Sequence, residues 1–192
     1  MAVDPARAGT RRNRDTEVIA AAIDLFRRKG YSATSIQDIA DAVGILKGSV
    51  YHYVASKEDL LFRICEQSHE EAAGVIAEAE SLGGEPLNRL RNFVTLYVRF
   101  YLENIERVQV YQRERRFLGT ERRRIVVEQR RVYERYVEGL AGRAAAFFIF
   151  GAINGIPDWY HRDGPKDLDA IAGFYATMAC ATARATIITD PS

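Results

Sequence analysis

Two short helical patterns around one glycine-centred turn occupy the stretch from Thr34 to Leu61, and this pair restricts the fold more than any other feature of the chain. Thr34 or Ser35 supplies an N-cap oxygen for the first pattern. Ile36, Ile39, Ala40 and Val43 recur at helical spacing while Gln37, Asp38 and Asp41 stay outside, so one face buries against the next helix. Gly44 stands where the chain reverses, a position suited to a residue that tolerates positive φ, with Ile45 as an apolar plug beneath. Lys47, Gly48 and Ser49 then give a small, polar, cationic start to the second helix. Ser56 and Asp59, three residues apart, read as a capping box opening a further helix with Lys57 in its first turn. A pair of helices arranged this way is a helix-turn-helix, whose second helix can lie in a DNA major groove.

The periodicity stays helical to the end. Leu61, Ile64, Cys65, Ser68, Ala72, Val75, Ile76 and Ala79 mark one face of a long helix that stops before Gly83-Gly84. Pro86 opens the next, with Leu87, Leu90, Phe93, Val94, Tyr97 and Tyr101 on a broad apolar face. A short helix from Asn104, a longer one from Thr120 to Leu140, and two final helices, Ala144 to about Tyr160 and Asp167 to about Thr186, complete the expectation. Strand-like alternation is absent, and 47% hydrophobic content over 192 residues is enough for a real core, so the predicted class is all-α.

Thr34, Ile39-Ala40, Ala42, Gly44, Gly48, Tyr51-His52 and Lys57-Glu58-Asp59-Leu60, preceded by the amphipathic run Ile19, Ala22, Ile23, Phe26 and Gly30, resemble the helix-turn-helix signature of the TetR-type repressors. Leu46 departs from the Ser or Thr usual there, and Val54 from the usual Phe. The resemblance implies a flexible basic arm (1–14), a DNA-binding domain (15–60) and a C-terminal effector-binding and dimerisation domain (61–192). It implies base contacts near Lys47 and Ser49, phosphate contacts from Thr34, Ser35, Tyr51, His52 and Lys57, and close backbone approach at Gly48. It further implies a homodimer through the last two helices, whose Ala144, Gly151, Gly155, Ala172, Gly173, Ala176 and Ala183 give small contact surfaces; an ordinary hairpin within one chain is the other reading. Family members have a longer connection than residues 141–143, so residues are expected to be missing there.

Net charge is only +1, so DNA affinity requires a local patch. Arg7, Arg11, Arg12 and Arg14 offer one, either as an arm reaching phosphates or as a solvated tail. The band from Arg107 to Arg135 holds ten arginines against four glutamates. It suits the cationic rim of a pocket for a small lipophilic or acyl-coenzyme A effector, as in TetR-type regulators of lipid breakdown, or else a solvated face of helical Glu–Arg pairs. Candidate pocket residues are Phe93, Tyr97, Tyr101, Tyr111, Phe117, Tyr133, Phe147, Phe150, Asn154 and Trp159, the alternative being packed core. Buried phenols and a buried amide need partners, which a polar ligand provides.

Enzyme motifs are thin. His69-Glu70-Glu71 lacks the second histidine of a zinc-protease helix, Lys47-Gly48-Ser49 lacks the upstream glycine of a phosphate loop, and three histidines suggest neither a metal cage nor a triad. Cys65 and Cys180 lie far apart and argue for reduced thiols. The apolar run Ala144 to Ile153 covers ten residues, too few to span a bilayer, and a cytoplasmic location is expected. The expectation is a ligand-responsive DNA-binding repressor without cofactor or metal. An effector-free regulator and an activator remain open.

Overall fold

The computed structural model describes residues 5–161, 163–164 and 167–189, with backbone alone at 5–13 and 187–189. Every described element is helical: α1 (Pro5–Lys29), α2 (Ile36–Val43), α3 (Lys47–Val50), α4 (Lys57–Leu82), α5 (Pro86–Glu103), α6 (Ile105–Glu114), a 3-10 turn (Arg115–Phe117), α7 (Thr120–Ala141), α8 (Arg143–Asn154), α9 (Ile156–Trp159) and α10 (Leu168–Thr189). They sort into two compact units. The first runs to Glu66 and takes in Gln109–Arg123; the second is formed by Gln67–Val108 and the chain from Arg124 onward. The first unit is therefore discontinuous in sequence, and α4, α6 and α7 each contribute residues to both. α1 begins at Pro5, within the stretch expected as an arm; the side chains of Arg7, Arg11 and Arg12 lie outside the described residues.

The first unit closes around Val18, Ala22, Leu25 and Phe26 of α1, Ile39 and Ala40 of α2, Val50 of α3, and Leu60, Leu61, Ile64 and Cys65 of α4, all buried. Their three- and four-residue spacings point each helix's apolar stripe inward. Val54 is buried in the same core. Burial pushes the Cys65 thiol up to about 12, which keeps it protonated and unreactive.

The second unit packs α10 against α5 and α8. Ala172, Ala176, Ala179 and Ala183 of α10 are buried within the chain, in one core with Phe93, Val94, Tyr97 and Val98 of α5. This corrects the sequence reading of that alanine stripe: its small side chains serve close packing inside the chain. The exposed faces of α8 and α10 carry Phe147, Phe148, Phe174 and Met178, and on α8 also the small residues Ala144 and Gly151.

One further correction concerns α8. It ends at Asn154 and resumes as the short α9, where a single helix to Tyr160 was expected. Pro157 has no N–H to offer the carbonyl of Ile153, so the ladder breaks there. At the other end, α7 and α8 join through Gly142 alone, at φ 81°. A left-handed residue reverses the chain in one step, which lets one residue join the two helices. Among the described residues, no helix is long and apolar enough to cross a membrane.

Candidate functional site

In the first unit the two short helices are held by local chemistry. The Ser35 hydroxyl accepts from the Asp38 N–H at 3.1 Å and the Asp38 carboxylate accepts from the Ser35 N–H at 2.7 Å, a complete capping box. Lys29 adds an ion pair to Asp38 at 2.8 Å, and these contacts hold its carboxyl well below the usual carboxylate range. Gly44, at φ 71°, ends α2. α3 then buries only Val50 and presents Leu46, Lys47, Gly48, Tyr51 and His52 to solvent, with Ser49 half-buried. A Cβ placed on Gly48 meets nothing within 4 Å, so the glycine is not needed for packing within the chain. Leu46, 79% exposed, gives α3 no side-chain cap.

Two residues expected at phosphates are placed elsewhere. Thr34 is buried, and its hydroxyl donates to the Gly30 carbonyl at 2.9 Å. The Lys57 ammonium donates to the carbonyls of Tyr31 (2.8 Å) and Thr34 (2.7 Å) and lies 4.4 Å from the Tyr31 ring centroid. Both residues fasten the start of α4 to the loop before α2. Ser35 is exposed but committed to its cap. Arg63 completes the frame with a bidentate pair to Asp15 (3.0 and 2.6 Å) and a bond to the Tyr53 carbonyl at 3.0 Å.

The returning segment is buckled to the same helix start. Glu58 accepts from the Gly119 N–H at 3.1 Å, Asp59 accepts from Arg122 at 2.8 Å, and Tyr31 stacks on Phe117 with ring centroids 5.2 Å apart. Tyr111 and Phe117 therefore belong to this unit and not with the other aromatic candidates. Sequence reasoning took Asp59 as a capping-box partner of Ser56 and Glu58 only as part of the helix-turn-helix signature, because nothing local marks an arginine more than sixty residues away as their partner.

In the second unit Phe93, Tyr97, Tyr101, Tyr133 and Phe150 are buried and pack on one another, with Tyr97 5.0 Å from Tyr101, 5.4 Å from Tyr133 and 6.0 Å from Phe150 by ring centroid. These rings are core. Two of their hydroxyls find partners inside the chain: Tyr101 donates to Asn154 Oδ1 at 3.1 Å, and Tyr133 bonds His69 Nδ1 at 2.9 Å. Burial raises the Tyr97 phenol well above its ordinary pKa. Buried Arg107 makes a bidentate pair with Glu71 and donates to Asn104 Oδ1 at 2.9 Å. Trp159 is half exposed. Phe147, Phe150 and Asn154 line a cleft of about 660 Å³ between α7 and α8, whose α7 wall carries Arg130, Arg131 and Arg135.

The family model described as bacterial regulatory proteins of the tetR family matches residues 18–64, and the model of the tetracyclin repressor-like C-terminal domain matches 83–143 and 140–183, more than half of the chain. The chain belongs to the TetR family. It is similar to the HTH-type transcriptional repressor KstR2 of Mycobacterium tuberculosis H37Rv, 29% identical over 67% of this chain and 64% of that protein. KstR2 of Rhodococcus jostii RHA1 is 35% identical over 53% of this chain and 50% of its own length. The chain thus spans less than two thirds of the curated relatives it matches. Among solved structures, a tetR-family regulatory protein from Rhodococcus RHA1 has a TM-score of 0.82 at 27% identity, covering 88% of this chain and 96% of that one. AibR, in complex with isovaleryl coenzyme A and operator DNA, shares the fold with a TM-score of 0.76 at 23% identity, over 86% of this chain and 97% of its own. These relatives are transcriptional regulators, not enzymes. The TetR C-terminal match breaks at 140–143, where Gly142 makes the one-residue turn.

Proposed function

We propose that this TetR-family chain is a cytoplasmic, homodimeric DNA-binding repressor, released from a palindromic operator by an anionic, lipophilic effector such as an acyl-coenzyme A thioester. The observation that carries the DNA-binding part is the solvent-facing surface of α3, where Lys47, Gly48, Tyr51 and His52 are exposed on a scaffold held by a capping box and an ion pair. Lys47 and Ser49 read base edges or lie beside those that do, and Tyr51 and His52 contact phosphate. The repressor reading is supported by the KstR2 relatives, and the effector class by the AibR complex. The exposed Phe148, Phe174 and Met178 on α8 and α10 support a two-fold dimer, which sets the spacing of two recognition helices on DNA.

An effector acts by binding the DNA-incompetent state more tightly than the competent one. We take α4 as the moving part, since one helix contributes Lys57 to the first unit and His69 to the second. The packed aromatic interior favours a second reading, a regulator without effector.

Fluorescence anisotropy on DNA from the chain's own upstream region, with and without acyl-coenzyme A thioesters and free acids, tests both. Saturable, salt-sensitive binding abolished by a thioester supports the full reading. Binding that no compound disturbs supports the second, and no binding to any DNA rejects both.

A further inference from the structure

We infer that the cleft between α7 and α8 binds a phosphate-bearing amphiphile, with Arg135 and Arg143 on the phosphates and Phe147 and Phe150 against the apolar chain. This rests on the effector-responsive reading and gives it a location outside the aromatic core.

The cleft is the space between two helices that diverge from Gly142, and its size lies within the roughly 300–1,000 Å³ of small-molecule sites. Its charge is unevenly committed. Arg130 is taken by Glu134 at 2.5 Å, and Arg131 by Glu128 at 2.6 Å. Arg135 and Arg143 have no carboxylate partner among the described residues, while Glu138 is the one carboxylate of the lining left uncommitted. Two guanidiniums therefore face one carboxylate, an excess that a multiply charged phosphate ester would answer with bidentate bonds.

The opposite wall is apolar. Phe147 is 68% exposed, with the Arg143 guanidinium carbon 5.6 Å from its ring centroid. A large ring left in water beside a cation is a poor surface for a solvated chain and a good one for a ligand that carries both an alkyl group and a negative charge. Phe150 lies deeper and continues the apolar surface into the core.

Asn154 on the lining gives the site a route inward. Its Oδ1 accepts from Tyr101, whose ring packs on Tyr97; Tyr97 packs on Tyr133, and Tyr133 bonds His69 of α4. A ligand that engages Asn154 competes for the Tyr101 hydroxyl and disturbs the ring stack behind it, so Tyr101 acts as a positioning residue for the response.

A coenzyme A thioester and a simple alkyl phosphate both supply the shared chemistry. Isothermal titration of the full chain with octanoyl-coenzyme A, octyl phosphate and octanoate separates them. The expected result is binding of octanoyl-coenzyme A, weakened at least tenfold by the double change Arg135→Ala, Arg143→Ala, with an unaltered thermal midpoint. Equal binding of octyl phosphate assigns the site to phosphate and chain alone and supports the proposal. Tyr101→Phe should bind octanoyl-coenzyme A within about twofold of wild type yet lose most of the ligand-driven release of DNA. Two results overturn the proposal: unchanged octanoyl-coenzyme A affinity in the double variant, or no binding of either phosphate compound by wild type. In both cases operator binding measured without ligand reports separately on the regulator reading, which falls only if wild type binds no DNA.

Discussion

The ammonium of Lys57 lies 2.7 Å from the main-chain carbonyl of Thr34, and a second carbonyl, that of Tyr31, accepts from it at 2.8 Å. The first turn of α4 is thereby tied to the loop that feeds α2. Lys57→Met should remove two charge-assisted bonds and cost about 2 kcal/mol of stability in urea unfolding, since hydrogen bonds to charged groups contribute roughly 1.5–3 kcal/mol. An unchanged unfolding midpoint with a shallower salt dependence of DNA affinity would return Lys57 to the phosphate role that the resemblance implies.

At Gly48 stability and affinity should separate. Alanine there meets no neighbour, and helix propensity favours it over glycine by up to about 1 kcal/mol, so Gly48→Ala should melt at or above the wild-type temperature. Operator binding should weaken about tenfold, because the added methyl stands where a DNA backbone approaches. Undiminished affinity would mean that α3 keeps its distance from DNA at this position.

Glu71 should give a measurable acid limb. Its bonds to Arg107 hold its carboxyl below the ordinary glutamate value. A depressed folded-state pKa adds stability above the unfolded value, about 4.3, and loses it as pH falls through the folded value. The stability gap between wild type and Glu71→Gln should therefore be widest near neutral pH, about 1 kcal/mol once solvent screening of the partly exposed carboxylate is allowed for, and shrink on acidification below about pH 4.3. Urea midpoints between pH 7 and 3 that keep a constant gap would show that the ion pair contributes nothing.

Phe148 is 61% exposed on α8. Replacing it with glutamate puts a charge on the face expected to meet a second copy, and sedimentation should show a shift from dimer to monomer together with loss of tight operator binding. A Phe148→Glu chain that sediments as wild type does would place the dimer contact elsewhere.

Much of the head was legible because its signals are local. Ser35 and Gly44 each act on neighbours within a few residues, and the N-cap and left-handed turn form as expected, with Asp38 completing a capping box that the sequence reading did not name. The contacts of Thr34 and Lys57 within the chain were not legible, because a polar side chain near a helix start looks the same whether it faces DNA or a carbonyl of its own loop. The aromatic residues carried the same ambiguity. Tyr97 and Phe147 have equally apolar sequence surroundings, yet one is 2% exposed and the other 68%. The cleft was hidden for a different reason: it arises where two helices diverge from one residue, and no periodicity within either helix records that geometry.

That residue, Gly142, leaves α7 and α8 no slack. A long loop lets two helices slide past each other, whereas a single-residue link permits them only to open and shut like a pair of tongs. Anything wedged between their walls must therefore act as torque on the pivot, and stiffening the pivot, as Gly142→Ala at φ 81° would by strain, should alter how far the jaws can part.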